Sequence, residues 1–182
     1  MSSDLPVTSY AVLGLLSFDR ELTGYELKKW ADSSLRFFYW SPATSQIYGE
    51  LKRLDGLGLV EARPILDDAR AKRAYRITDA GRAALREWVA HAPVEAPVLK
   101  HSTVLRIWLG HLAEPARLRA VLSEHRTLTE QLLEDARKAE VGARNDAAWA
   151  FPELVNRWAA RHYEAELELT DALLADLDAL FP

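Results

Sequence analysis

Cysteine is absent from this 182-residue chain, which removes disulfide staples, thiol nucleophiles and cysteine-based zinc sites together and fits a reducing compartment. Also missing is any apolar run of about 18 residues that could span a bilayer. The opening MSSDLPVTSYAVLGLLSFD has neither the basic start nor the small-residue cleavage site of a secretory signal. A cytoplasmic protein without membrane contact is expected. The five histidines, His91, His101, His111, His125 and His162, show no HExxH or similar spacing, and no GxSxG, P-loop or dinucleotide-binding glycine pattern occurs. Acids that fall close together, Asp67 with Asp68 and Glu164 with Glu166 and Glu168, read as a turn and as solvated helix charges. Neither catalytic residues, nor a metal, nor a cofactor is therefore expected.

What is present is apolar material in quantity. At 49% hydrophobic residues the chain can build a real core, as one domain or two small ones. The formal net charge of −4 hides an asymmetry: residues 1–92 hold 13 Lys/Arg against 12 Asp/Glu, and residues 93–182 hold 10 against 15. Within the first half, Arg70, Lys72, Arg73, Arg76, Arg82 and Arg86 are opposed only by Asp79 across that span. A basic feature sits on an acidic body, a pattern that suits local contact with a polyanion rather than coating of one.

Hydropathy then orders the elements. SYAVLGLLSF is a helix apolar nearly all round, suited to burial on several sides. TGYELKKWADSSLR starts with Thr23 and Glu26 at capping-box spacing and carries Tyr25, Leu27 and Trp30 as apolar contacts. After the aromatic loop Phe37 to Trp40, Ser41 and Pro42 are expected as N-cap and first position of a short helix. Ile47, Leu51 and Leu54 form the stripe of that helix, and Gly56 and Gly58 end it. LVEARPIL and RAYRIT read as two strands joined by the basic turn DDARAK, with Tyr75 and Ile77 on one side and Pro64 restricting the first strand to a sheet edge or bulge. Thr78 and Asp79 begin a further helix with Leu85, Trp88 and Val89 inward. Residues 92–99, APVEAPVL, read as a connector. Beyond them lie a shorter helix near His101 to Leu112 and two long ones. The first carries Leu118, Val121, Leu122, His125, Leu128, Leu132 and Ala136. The second carries Val155, Trp158, His162, Ala165, Leu169, Leu173 and Leu180. These stripes predict an antiparallel pair with coiled-coil-like packing.

The class is mainly α. The order of helix, helix, glycine-terminated helix, two strands with a basic turn and helix is that of a winged helix-turn-helix domain over residues 1–92, followed by an α-helical domain over residues 93–182. On the short helix Ser45, Gly49 and Lys52 lie opposite the apolar stripe, flanked by Tyr48 and Arg53. Ser45, Gln46 and Tyr48 can hydrogen-bond base edges or phosphates, Lys52 and Arg53 can neutralise phosphates, and Gly49 leaves room for close approach. The basic turn, with Arg70, Lys72 and Arg73, can follow the adjacent backbone or minor groove. Most surface helices have a polar face with some Lys and Arg. It is the conjunction with the wing that points to double-stranded DNA.

YAVLGLLSF, LTGYELKK, SQIYGELKRLDGLGLVE and KRAYRITDAGRAALREWV, taken in order, resemble the PadR family of bacterial transcriptional regulators over about the first 90 residues. The resemblance implies a homodimeric repressor of nearby genes that binds a pseudo-palindromic operator and is released by a small, often aromatic, effector. It places Ser45, Gln46, Tyr48 and Lys52 on the recognition helix and Lys72 and Arg73 in the wing. It also assigns the carboxy-terminal helices to the longer subclass, where they support dimerisation and possible effector sensing. Gly49 departs from the proline common there. Six tryptophans offer the flat apolar walls an effector pocket needs, and Trp40, beside the recognition helix, is the one whose movement would most directly reach DNA. The alternative function is a winged-helix protein-interaction or scaffold module without specific DNA binding.

Overall fold

The computed structural model describes residues 5–65, 72–144 and 147–182, and the chain divides into two compact units, Met1–Glu95 and Ala96–Pro182. The first contains α1 (Val7–Leu16), α2 (Gly24–Ser33), α3 (Thr44–Gly56) and α4 (Asp79–His91) with three strands, β1 (Leu22–Thr23), β2 (Val60–Ile65) and β3 (Lys72–Ile77). The strands form an antiparallel sheet in the order β1-β3-β2. This is the winged helix-turn-helix that the order of elements predicts. Val12, Leu13 and Leu16 of α1, Leu27 of α2 and Ile47, Leu51 and Leu54 of α3 are fully buried in one core. Tyr10 stacks on Trp88 with centroids 4.7 Å apart, tying α4 to α1.

Local chemistry sets the ends of these elements. The Thr23 hydroxyl accepts the Glu26 amide at 3.2 Å while the Glu26 carboxylate accepts the Thr23 amide at 2.8 Å, the capping box the spacing implies. α3 begins later than expected. Thr44 is its first residue and Ala43 its cap, while Pro42 is buried and Ser41 instead bonds Asp32 of α2 at 2.5 Å. Packing of the proline and this cross-link displace the helix start by two residues. Its end is a Schellman turn: Gly58 takes φ +68°, and the Leu59 and Gly58 amides donate to Leu54 and Asp55 carbonyls, each at 2.9 Å. Thr78 then caps α4, accepting the Gly81 amide at 3.1 Å and donating to the Gly58 carbonyl at 2.7 Å. Val89, expected inward, is 72% exposed, because the side chains that α4 packs on the core are Ala84, Leu85 and Trp88.

The second unit contains α5 (Ser102–Trp108), α6 (Pro115–Ala143) and α7 (Ala150–Leu180), with 3-10 turns at Gly110–Leu112 and Ala147–Trp149. Ion pairs between Arg119 and Asp178, Arg126 and Asp171, Arg137 and Glu164, and Arg157 and Glu140 run in opposite residue order along α6 and α7, which are therefore antiparallel as expected. Their buried faces differ from the predicted stripes. On α6, Leu118, Val121, Leu122 and Ala136 are buried, but Thr129 and Leu133 take the places predicted for Leu128 and Leu132. On α7 the interior is Asn156, Ala159, Ala160, Tyr163, Thr170 and Leu177, whereas Trp158, His162, Ala165, Leu169 and Leu180 face outward. Small side chains allow close helix approach. The Thr129 and Thr170 hydroxyls satisfy themselves on the His125 and Glu166 carbonyls at 2.9 and 2.8 Å, so burial costs them no hydrogen bond.

Glu166 is not the solvated charge its neighbours in sequence imply. Burial pushes its carboxyl up, but hydrogen bonds from His101 and His125 outweigh that and hold it below the usual glutamate range.

Two glycines separate backbone need from helix propensity. A Cβ on Gly81 would stand 2.1 Å from the Leu59 carbonyl oxygen, so Gly81→Ala is expected to lose about 1–3 kcal/mol of stability in chemical denaturation. A Cβ on Gly49 meets nothing within 4 Å. Gly49→Ala should therefore gain about 1 kcal/mol from helix propensity in the same measurement.

Candidate nucleic-acid interface

α3 is held by one face. With Ile47, Leu51 and Leu54 at zero exposure, Ser45, Gln46, Tyr48, Gly49, Lys52 and Arg53 are left on the exposed side. A polar tether adds to the apolar one: the fully buried Ser9 hydroxyl of α1 donates to the Glu50 carboxylate. Glu50 in turn stands 3.6 Å from Arg53, so that guanidinium is partly engaged within its own helix. Lys52 makes no salt bridge among the described residues. Gln46 has a structural duty as well, since its side-chain oxygen accepts the Ala43 amide at 2.8 Å and closes the first turn of α3. Its amide nitrogen is the part left to reach outward.

Tyr48 is positioned by a residue that the sequence pattern did not single out. A Cβ on Gly24 would lie 2.6 Å from the tyrosine ring, so the ring rests directly on the first turn of α2. The missing side chain of Gly24 makes that contact possible. Glu50 was likewise unforeseen. Its signal in the sequence is weak, since an acid beside the basic residues of a helix, like Asp55 further on, ordinarily reads as surface charge.

In the wing, β2 is an edge strand, and Pro64, opposite Arg73, needs no ladder donor on its open side. Lys72 and Arg73 are both exposed, make no salt bridge among the described residues, and alternate to opposite faces of β3. Arg73 follows the face of Tyr75, whose phenol is pushed up by burial and partly brought back by the Arg73 charge. Lys72 lies close enough to Glu26 to favour its ionised form. Arg76 and Arg82 are committed elsewhere, to Glu61 at 3.1 Å and to Asp19 with the Ser17 carbonyl. Among the described residues the basic cluster of the sequence thus resolves into members with and without a salt bridge. Arg70 lies outside the described residues, as do Asp67 and Asp68.

Trp40 is 38% exposed and contacts Tyr39, with ring centroids 6.1 Å apart. It forms part of an open aromatic surface ahead of α3 with Phe38 and Tyr39, both of which are also exposed.

Residues 12–87 match the model of the Transcriptional regulator PadR-like family. Over 94 residues the chain is 37% identical to the negative transcriptional regulator PadR of Bacillus subtilis (strain 168), a stretch that covers 50% of this chain and 50% of that protein. The match thus spans about half the length of that curated relative. The crystal structure of Bacillus subtilis PadR in complex with operator DNA is similar with a TM-score of 0.77 at 25% identity, covering 94% of this chain and 99% of that one. The same protein's structure in complex with p-coumaric acid gives a TM-score of 0.70 at 24% identity over 95% and 99% of the two chains, a likeness of fold. Residues 12–87 thus carry a PadR-like transcriptional-regulator domain, and the fold of solved PadR structures is shared along nearly the whole chain.

Proposed function

We propose that the chain is a sequence-specific DNA-binding transcriptional regulator, a homodimeric repressor whose α3 enters the major groove while the β2–β3 wing follows the neighbouring phosphates. The observation that carries this reading is the exposed polar face of α3 with three cations, Lys52, Lys72 and Arg73, that make no salt bridge among the described residues. Arg76 and Arg82 of the same basic cluster are neutralised within the domain. Leaving cations open beside hydrogen-bonding groups suits a partner that brings the negative charge. The family consists of regulators, which is not an enzyme class, and the relative solved with operator DNA supports the same partner.

Ser45, Gln46, Tyr48, Lys52 and Arg53, with Arg70, Lys72 and Arg73 of the wing, are the proposed contact residues. In a two-fold dimer the half-sites stand about 34 Å, one helical turn, or a multiple of that apart. The outward apolar residues of α7, Trp158, Leu169 and Leu180, together with Leu128 of α6, support the helical unit as the place where two copies associate. Relief by a small aromatic effector is the reading that p-coumaric acid, bound by the Bacillus relative, favours. Such a regulator works in the cytoplasm, and among the described residues no helix is long and apolar enough to cross a membrane.

Fluorescence polarisation on DNA flanking the gene tests the reading directly. A salt-sensitive, sequence-dependent complex is expected, and only weak binding indifferent to sequence would leave a protein-interaction module instead. Joint replacement of Lys72 and Arg73 by alanine should weaken binding to all sequences and lower the slope of log affinity against log salt by roughly 0.9 for each phosphate no longer neutralised. Gly24→Ala should push the Tyr48 ring aside and reduce specific affinity while the helical circular dichroism stays unchanged. Trp158→Glu combined with Leu169→Glu should shift the dimer towards monomer in sedimentation velocity.

A further inference from the structure

Three side chains far apart in sequence meet within the second unit. His101 caps α5, His125 lies on α6 and Glu166 on α7, with sequence separations of 41 and 65 residues between the glutamate and the two histidines. Glu166 Oε1 stands 2.7 Å from His101 Nε2 and 2.9 Å from His125 Nε2, and the rings are 4.9 Å apart at 60°. One donor atom from each residue lies within 4.8 Å of the others. With 15%, 20% and 18% of their side chains exposed, the three are neither a solvated surface pair nor a sealed core.

Two imidazole nitrogens and a carboxylate oxygen are a zinc donor set, and bonds of about 2.0–2.2 Å in tetrahedral arrangement hold donor atoms roughly 3.3 Å apart. The two carboxylate–imidazole separations need to open by about half an ångström, and the imidazole donors, within 4.8 Å of each other, to settle near the same value, movements within the reach of small side-chain rotations. We propose that His101, His125 and Glu166 form a binding site for one divalent transition-metal ion of the zinc class, with a fourth position open to water or an added ligand. Three helices would then be joined by one ion. Spacing could not show this, because no two of the ligands share an element.

Proton placement gives the site a signature. The Val104 amide donates to His101 Nδ1 at 3.1 Å, so in the neutral ring the proton is on Nε2, directed at Glu166. Coordination through Nε2 needs that lone pair. The proton therefore moves to Nδ1, and Val104 loses its acceptor. Metal occupancy and the cap of α5 are mutually exclusive, so binding loosens the first turn of that helix.

The test uses the full chain without a histidine tag. Calorimetry with Zn²⁺, and visible absorption with Co²⁺, should show one ion per chain. Glu166→Gln and His125→Ala should each weaken binding by about 10-fold or more, while His91→Ala and His111→Ala leave it unchanged. On the unaltered protein, imidazole nitrogen resonances of His101 and His125 should shift with Zn²⁺, and the Val104 amide should exchange faster. No binding, binding indifferent to both ligand variants, or shifts confined to the other histidines would each overturn the proposal.

Discussion

The carbonyls of Gly58 and Leu59 hold together the parts of the amino-terminal unit that must cooperate. The Gly58 carbonyl accepts the Thr78 hydroxyl, and the Leu59 carbonyl accepts the Thr78 amide at 3.1 Å while lying against the bare face of Gly81. At this one junction α3 ends, β2 begins at Val60 opposite Ile77, and α4 starts. Positive φ at Gly58 and the missing Cβ at Gly81 are what let three backbones approach so closely. The angle between α3 and the β2–β3 wing follows from this turn. So does the placement of Lys52 relative to Lys72 and Arg73.

A second constraint acts on α3 from the other side. Three apolar residues at zero exposure fix its rotation about its own axis, and the Ser9–Glu50 bond fixes it again through a polar contact at the edge of the core. Rotation is what matters for reading a groove, since a turn of one residue carries a side chain about 100° around the helix. The Tyr48 ring, resting on Gly24, extends the same rigidity to the exposed face. Groups that touch DNA in this reading are thus supported by contacts already made in the free protein, which reduces the ordering cost of binding.

The helical unit follows a different logic. Ala159, Ala160 and self-satisfied threonines share the buried side of α6 and α7 with Leu118, Leu122, Leu133 and Leu177, while Leu128 of α6 and Trp158, Leu169 and Leu180 of α7 look away from it. Periodicity identified two long amphipathic helices and their antiparallel pairing correctly. It found most of the buried face of α6 but largely missed that of α7, because hydropathy ranks tryptophan and leucine above alanine and threonine for burial. An intrachain seam that needs close approach selects the reverse.

The amino-acid sequence by itself determined the class and order of elements, the buried stripe of α3, the Thr23–Glu26 and Thr78 caps, the edge position of Pro64 and the glycine turn after α3, because each depends on residues within a few positions of one another. Its motifs were enough to connect the amino-terminal unit to the PadR-like regulators whose family model matches residues 12–87. Tertiary structure alone decided which cations of the basic cluster pair with acids among the described residues, why Gly24 and Gly81 carry no side chain, which face of α7 is interior, and that His101, His125 and Glu166 converge. Those facts depend on distances between segments that are remote along the chain, and helical or strand periodicity carries no information about such distances.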